Sequence, residues 1–270
     1  MDRVPLVSVV IPSFNSERYI RQTLASVQNQ TFGDWELIVV DDYSTDASPA
    51  IVEEHARQDE RIRLIRLERN VGRPAIPRNI GVQSARGAYV AFLDADDLWH
   101  PQKLATQIGF MREQGVRFTS TGTHSFRDEA EISPSLALPA KAPDAVIEID
   151  HRRLLRKNVI PTSSVVAERT LLVSHPFIED LRYKAIEDYH CWLTIHQHEI
   201  GCSCKFSSPL VFYRLTESSI SKSKAAMFRK NYMLYSEYRI RGEPLGMRKF
   251  LYLGTYMCLS LADRFGRIIS

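Results

Sequence analysis

Short apolar runs alternate with segments of helical spacing over the first half of the chain. Val7 to Ile11 is rich in β-branched residues and stops at Pro12, which predicts a strand. Asn15 or Ser16 stands where a helix cap belongs, and Ile20, Leu24 and Val27 then fall on one face at i, i+4 and i+7. Trp35 to Val40 predicts a second strand, and Ser48-Pro49 opens a second helix with a cap followed by proline. Ile62 to Leu67 predicts a third strand, Asn79 to Ala85 a third helix, Tyr89 to Leu93 a fourth strand, and Pro101 to Gln114 an amphipathic helix. Beyond Ser120 the rhythm weakens. Asp128 to Asp144 holds three prolines and reads as a surface loop. Arg152 to Lys157 and Asp188 to His198 read as helices, Ser163 to Ala167 and Leu210 to Leu215 as strands. Such alternation implies an α/β fold with a mostly parallel sheet covered on both faces.

Ligands of open α/β sheets sit past the carboxyl ends of the strands. Here those positions are Pro12-Ser13-Phe14-Asn15, Asp41-Asp42 and Asp94-Ala95-Asp96-Asp97, so an aromatic ring and a set of carboxylates converge on one edge. Neither GxGxxG nor GxxxxGK[ST] occurs, so a phosphate ligand would need a cation, and carboxylates suit a hard one. Three carboxylates within the four residues 94 to 97 repel one another unless a cation or solvent separates them. A divalent ion bridging them to a diphosphate removes that cost and acts as a Lewis acid. The plainer alternative is a solvated acidic turn, but its place at a strand end favours the functional reading. Asp42 could accept a hydrogen bond from the imide N–H of uracil, with Phe14 as a stacking surface, or the pair could simply cap the next helix.

The order and spacing of these blocks carry a resemblance. Val9 to Asn15, Ser26 to Thr31, Glu36 to Asp42, Asn70-Val71-Gly72 with Arg78-Asn79-Ile80-Gly81, and Phe92 to Asp97 resemble a family 2 glycosyltransferase over residues 5 to about 110. The resemblance implies a GT-A fold, a Rossmann-like sheet followed by a C-terminal helical extension, and inverting sugar transfer from a UDP-sugar. By its terms Pro12, Phe14, Asp42, Arg78 and Asp94 contact the nucleotide, and Asp94 and Asp96 hold Mg²⁺ or Mn²⁺. Pro77 replaces the usual alanine before the arginine and removes a backbone donor. Glu187-Asp188 resembles the family's later acidic pair, which makes Asp188 the general base with Glu187 in support. From pattern alone, two acids at a helix start suit its dipole. Tyr213-Arg214 and the residues to Ser221 resemble a further block, in which Thr216 replaces a frequent histidine, so that either Arg214 and its loop contact the diphosphate or water takes the histidine's place at the metal.

Composition sets the outer limits. Among 270 residues, 44% are hydrophobic and 25% charged, the mixture of a globular protein with one large core. A balance of 35 basic against 32 acidic residues argues against a nucleic-acid partner. Cys191, Cys202, Cys204 and Cys258 match no zinc spacing and read as reduced thiols. No segment reads as a signal peptide or a transmembrane span, which leads to the expectation of a cytoplasmic enzyme. The charge is uneven, however: from Lys222 to Ser270, ten Lys and Arg against three acids leave the segment at +7. Its basic residues interleave with Met227, Phe228, Tyr232, Met233, Leu234, Tyr235, Phe250, Leu251, Tyr252 and Leu253. That mixture suits a peripheral contact with the cytoplasmic face of a membrane, or an ordinary helical pair packed on the catalytic domain with a solvated basic face. Residues 1–221 are thus expected to form the catalytic domain, divided near 115 into nucleotide and acceptor halves, with 222–270 as the extension. The expected acceptor is a saccharide or lipid-linked oligosaccharide of surface polysaccharide assembly. A nucleotidyltransferase would also use a metal at a sheet edge, but it wants a lysine-bearing Gly-rich loop that Phe14 to Arg21 lacks. An inactive binding module would have lost the carboxylates, which are all present.

Overall fold

The computed structural model describes residues 4–132, 145–199, 201, 203–216 and 224–269, with side chains as far as 260 in the last helix. In chain order, β1 (Val7–Ser13), α1 (Ile20–Gln28), β2 (Trp35–Asp41), α2 (Ser48–Gln58), β3 (Ile62–Arg66), α3 (Ala75–Ser84) and β4 (Tyr89–Phe92) form the first half. There follow β5 (Leu98–Trp99), α4 (Lys103–Gln114), β6 (Phe118–Phe126), β7 (Val146–Glu148), α5 (His151–Arg156), β8 (Val166–Glu168), α6 (Arg169–Ser174), α7 (Glu187–His198) and β9 (Ser203–Arg214). Two helices, α8 (Lys224–Glu237) and α9 (Arg248–Ile269), end the chain. The main sheet runs β3-β2-β1-β4-β8-β6-β9-β5, with β7 beside β9.

The expected parallel order holds from β3 to β4, where every pairing is parallel. Beyond β4 the sheet becomes mixed, because β8 pairs antiparallel with both β4 and β6. Alternate residues of one strand feed opposite faces. Val10, Ile38, Val40 and Phe92 join a core beneath α3 and α7, whereas Val9, Ile11, Leu37, Val39 and Ala91 join one beneath α1, α2 and α4. Strands buried on both faces read as continuous apolar runs, which is why β1, β2 and β4 are legible. Gly81 lets α3 lie close on the sheet, since a Cβ there would come within 2.3 Å of the Val10 side chain.

Several boundaries move from expectation. α3 begins at Ala75, so Pro77 sits in the first turn, where a backbone N–H has no acceptor within the helix and its loss costs nothing. The second helix is capped upstream by Asp46, whose carboxylate accepts from Ser48 N at 2.9 Å, while the Ser48 hydroxyl accepts from Ser16 N at 2.7 Å. Thr162–Ser164 is a single 3₁₀ turn rather than the start of a strand. The strand expected at Leu210 begins seven residues earlier, at Ser203. In the expected surface loop Glu129–Glu131 is a 3₁₀ turn, and residues 133–144 lie outside the described residues, as do Cys202 and Glu217 to Ser221. α8 is not a detached extension: Leu234 and Tyr235 are fully buried in the α3–α7 core, and the Tyr235 hydroxyl donates to the Leu155 carbonyl at 3.0 Å.

Candidate active site

The carboxyl ends of β1, β2 and β4 open on a cleft of about 650 Å³. Its walls include Pro12, Phe14, Asp42, Arg78, Asp94, Asp96, Glu187 and Asp188, so eight of the nine expected site residues meet there. Two loops laced together form the first wall. Asn15, with φ of 45°, accepts from Thr45 N at 2.9 Å and gives its own N–H to the Ser44 hydroxyl at 2.9 Å. Within Asp41-Asp42 the roles divide. Asp41 is buried and accepts from Ser44, whereas Asp42 faces the cleft and accepts from Val71 N and Gly72 N at 2.7 and 3.1 Å. Each Asp42 oxygen keeps a lone pair for a further donor. Burial raises its pKa despite those N–H groups. Phe14 presents a ring that is 51% exposed, a free apolar surface beside a carboxylate.

A second wall is the Asp94–Asp97 turn, which Ser163 holds from behind. The Ser163 hydroxyl donates to Asp97 at 2.6 Å and accepts from Asp94 N at 3.1 Å. Asp97 also accepts from Arg214 N at 3.0 Å and is 1% exposed, so this acid is structural. Asp94 and Asp96 are left for the cleft. Burial, and then the like charge of Asp94, pushes the Asp96 carboxyl up to about 6.

The third wall is the start of α7. Thr162 Oγ1 donates to Asp188 at 2.9 Å and Tyr189 N at 2.7 Å, which fixes the carboxylate. Burial and the neighbouring Glu187 raise Asp188 to about 6, against the pull of Arg78. Arg78 ties these last two walls together. Its guanidinium is 5% exposed and reaches Asp94 at 2.7 Å and Glu187 at 2.8 Å. Glu187 is therefore the anchor of a buried arginine.

The donor set suits a hard divalent cation. Two carboxylates face one cleft, and one is pushed up by burial and by the charge of the other. Among the described residues no group of three or more His, Cys, Asp or Glu could enclose a metal. Mg²⁺-type ions are commonly held by one or two carboxylates, with water and substrate phosphates completing the shell.

Residues 8–160 match the family described as Glycosyl transferase family 2. The chain belongs to that family. It is 34% identical over 239 residues to WfgD of Escherichia coli, a UDP-Glc:alpha-D-GlcNAc-diphosphoundecaprenol beta-1,3-glucosyltransferase, with 86% of each chain covered. It superposes on Staphylococcus aureus TarS 1-349 in complex with UDP-GlcNAc at a TM-score of 0.70, 22% identity, over 93% of this chain and 71% of that one. A Pyrobaculum calidifontis mannosyltransferase in complex with GDP-Man and Mn²⁺ gives 0.60 and 19%, over 97% and 76%. These two likenesses are of fold, and the fold is GT-A. Family membership settles the enzyme class against a nucleotidyltransferase.

One expected residue of this glycosyltransferase lies elsewhere. Arg214 does not line the cleft; its Nε donates to the Asp96 carbonyl at 2.9 Å and one terminal nitrogen to Gln22 at 2.9 Å. The guanidinium is packed between the Tyr19 and Phe126 rings, 4.7 and 4.6 Å from their centroids. With those bonds made it braces the Asp94–Asp97 turn from outside the cleft in which a diphosphate contact was expected. The sequence reading also missed wall residues. Ser163 was placed at the start of an expected strand and Thr162 just before it, although a Pro161-Thr-Ser-Ser run is a turn signal. Arg73 and Lys184 bring positive charge to the rim, and Lys184 opposes the rise of Asp42. Ala185 holds φ at 75°, a strained conformation for a residue with a Cβ, two residues before Glu187.

Proposed function

We propose that this glycosyltransferase moves a sugar from a UDP-sugar to an acceptor hydroxyl, with inversion, in surface polysaccharide assembly such as O-antigen, capsule or exopolysaccharide. The observation that carries it is the single cleft in which Asp94 and Asp96 stand on one side of buried Arg78 and Asp188 on the other. Asp188 takes the proton of the acceptor hydroxyl as that oxygen bonds to the anomeric carbon, and the bond from that carbon to the diphosphate oxygen breaks, releasing UDP. Inversion follows because the base and the leaving group lie on opposite faces of the sugar. Phe14 stacks on the uracil, Asp42 accepts from the base or ribose, and Pro12 and Arg78 complete the nucleotide wall. Asp94 and Asp96 would hold Mg²⁺ or Mn²⁺, which when bound neutralises charge on the departing diphosphate.

The name of WfgD supports a UDP-sugar donor and a lipid-linked saccharide acceptor. The complexes of TarS with UDP-GlcNAc and of the mannosyltransferase with Mn²⁺ support a nucleotide sugar and a divalent ion in this fold. UDP-sugars are presented by the cytoplasm, so the reaction belongs on that side of the membrane. A screen of UDP-sugars for transfer, with the anomeric coupling constant of the product read by NMR, tests the reading. The expected product has the configuration opposite to the donor, and the expected UDP affinity collapses in chelator. Retention, or UDP binding indifferent to chelator, overturns it.

A further inference from the structure

α9 is apolar on two opposite faces. Leu253 is buried against the domain and Tyr252 meets the Tyr235 ring at 6.1 Å, so one face is accounted for. The other face carries Phe250, Leu251 and Met257, which are 51, 66 and 48% exposed, and Met247 in the turn just before the helix is 80% exposed. Counted from Met247, their spacing is i, i+3, i+4 and i+10, one stripe down the solvent side of the helix. Phe228 and Tyr232 of α8 widen it at 38 and 41% exposed, with the Tyr232 and Phe250 rings 6.5 Å apart. Lys249 lies over both of those rings at 4.9 and 5.3 Å, and Arg229, Arg239, Arg241 and Arg248 are exposed along the margins. A helix that shows water a continuous apolar stripe has an unfilled partner.

We infer that this stripe of α9, with Phe228 and Tyr232, is a membrane-docking face that lies on an anionic bilayer. Charge selects that occupant: residues 224–259 hold seven Lys and Arg against Glu237 and Glu243, and Glu237 is already paired with Arg182 at 2.7 Å. A basic margin around an apolar stripe matches anionic headgroups above acyl chains, whereas two copies would bring like charges together. No helix among the described residues is long and apolar enough to cross a membrane, so the helix rests in the interface. The structure also narrows the expectation from sequence, since Leu234, Tyr235 and Leu253 face the core and only the outer stripe is available.

The docking face is joined to the acceptor side of the cleft. Glu237 of α8 accepts from Arg182 and from the Tyr183 hydroxyl at 2.7 and 2.9 Å, and Lys230 Nζ donates to the Lys184 carbonyl. That segment runs through Ala185 into Glu187-Asp188. A bilayer under α9 would therefore sit at a fixed distance from the base. The inference takes from the proposed function only that the acceptor is lipid-borne.

Flotation with vesicles of phosphatidylglycerol and phosphatidylcholine, against phosphatidylcholine alone, tests it with the full chain. Binding is expected on the anionic vesicles, greater by about fivefold for each basic residue that reaches the surface, and lost with added salt. Phe250→Glu with Leu251→Glu should abolish it while leaving transfer to a soluble saccharide acceptor unchanged. No binding at low salt, full binding by the double variant, or a dimer in ultracentrifugation that the double variant dissolves would each overturn the inference. Transfer to the soluble acceptor reports separately on the proposed function, because it needs no membrane.

Discussion

Asp96-Asp97 and Glu187-Asp188 are two pairs of adjacent acids built on the same division of labour. In each pair one acid is committed to structure, Asp97 to Ser163 and Arg214, Glu187 to Arg78. The other faces the cleft with its carboxyl pushed up to about 6. What opposes that rise differs. Asp96 has only its own backbone N–H and the more distant Arg214 against burial and Asp94, whereas Asp188 has Arg78, Thr162 and Tyr189 N against burial and Glu187. Asp188 has its counter-charge, Arg78, inside the fold. The Asp94–Asp97 turn shares its nearest arginine between Asp94 and Glu187, and on the proposed reading a divalent cation supplies the charge that α7 already has.

The sharpest way to break the comparison is at the base. Asp188→Asn keeps the shape and can still meet Thr162, but it cannot take a proton. Turnover should fall by roughly 10²–10⁴-fold while metal-dependent UDP binding is kept. Single-turnover kinetics beside calorimetry of UDP checks both halves, and turnover near wild type would remove Asp188 from the base role.

A smaller effect is expected where the two walls share a support. Ser163→Ala deletes the donor to buried Asp97 and the acceptor of Asp94 N, leaving Asp97 with Arg214 N alone. Thermal or urea unfolding should show a loss of about 1–3 kcal/mol, the range for an unsatisfied buried partner. UDP affinity in Mg²⁺ should weaken as the turn loosens, while Asp188 keeps its Thr162 contact. An unchanged midpoint would show that the turn holds itself.

How much of this could be read in advance follows from distance along the chain. Phe14, Asp42, Asp94 and Asp96 stand at the ends of apolar runs, so a local pattern and the strand-end rule place them together. Arg78 joins acids 16 and 109 residues away, which no local pattern encodes. Arg214 could be named from its motif, yet its direction depends on Tyr19, Gln22 and Phe126, drawn from two distant elements. Thr162 and Ser163 were lost because Val165, Val166 and Ala167 next to them carry the apolar signal of β8. For α8 the basic and aromatic residues left a membrane contact and a helix packed on the domain both open, and Leu234 and Tyr235 fill the same core as Trp192.

The mildest prediction concerns pH, and it uses two opposite signs from one carboxylate. Asp188 works as a base only when ionised, and its pKa is raised from 3.8 to about 6 by burial and by Glu187. The rate constant kcat/KM should therefore rise with pH, reach half its plateau near 6, and fall about tenfold per unit below. Between neutral pH and 6 the change is only about twofold. Stability runs the other way. Between roughly pH 4 and 6 the folded protein keeps a proton on Asp188 that the unfolded chain has released, so this group's contribution falls as pH rises through that window. Asn at the position has no charge to bury. The stability of Asp188→Asn relative to wild type should therefore improve from pH 4 to 6 and level off above, while its activity stays low throughout. Urea titrations of both proteins across that range, in chelator so that no cation compensates Asp96, measure the difference directly. A gap that does not change with pH would mean that Asp188 titrates at its ordinary value, and the half-point of the rate profile would then have to belong to another group.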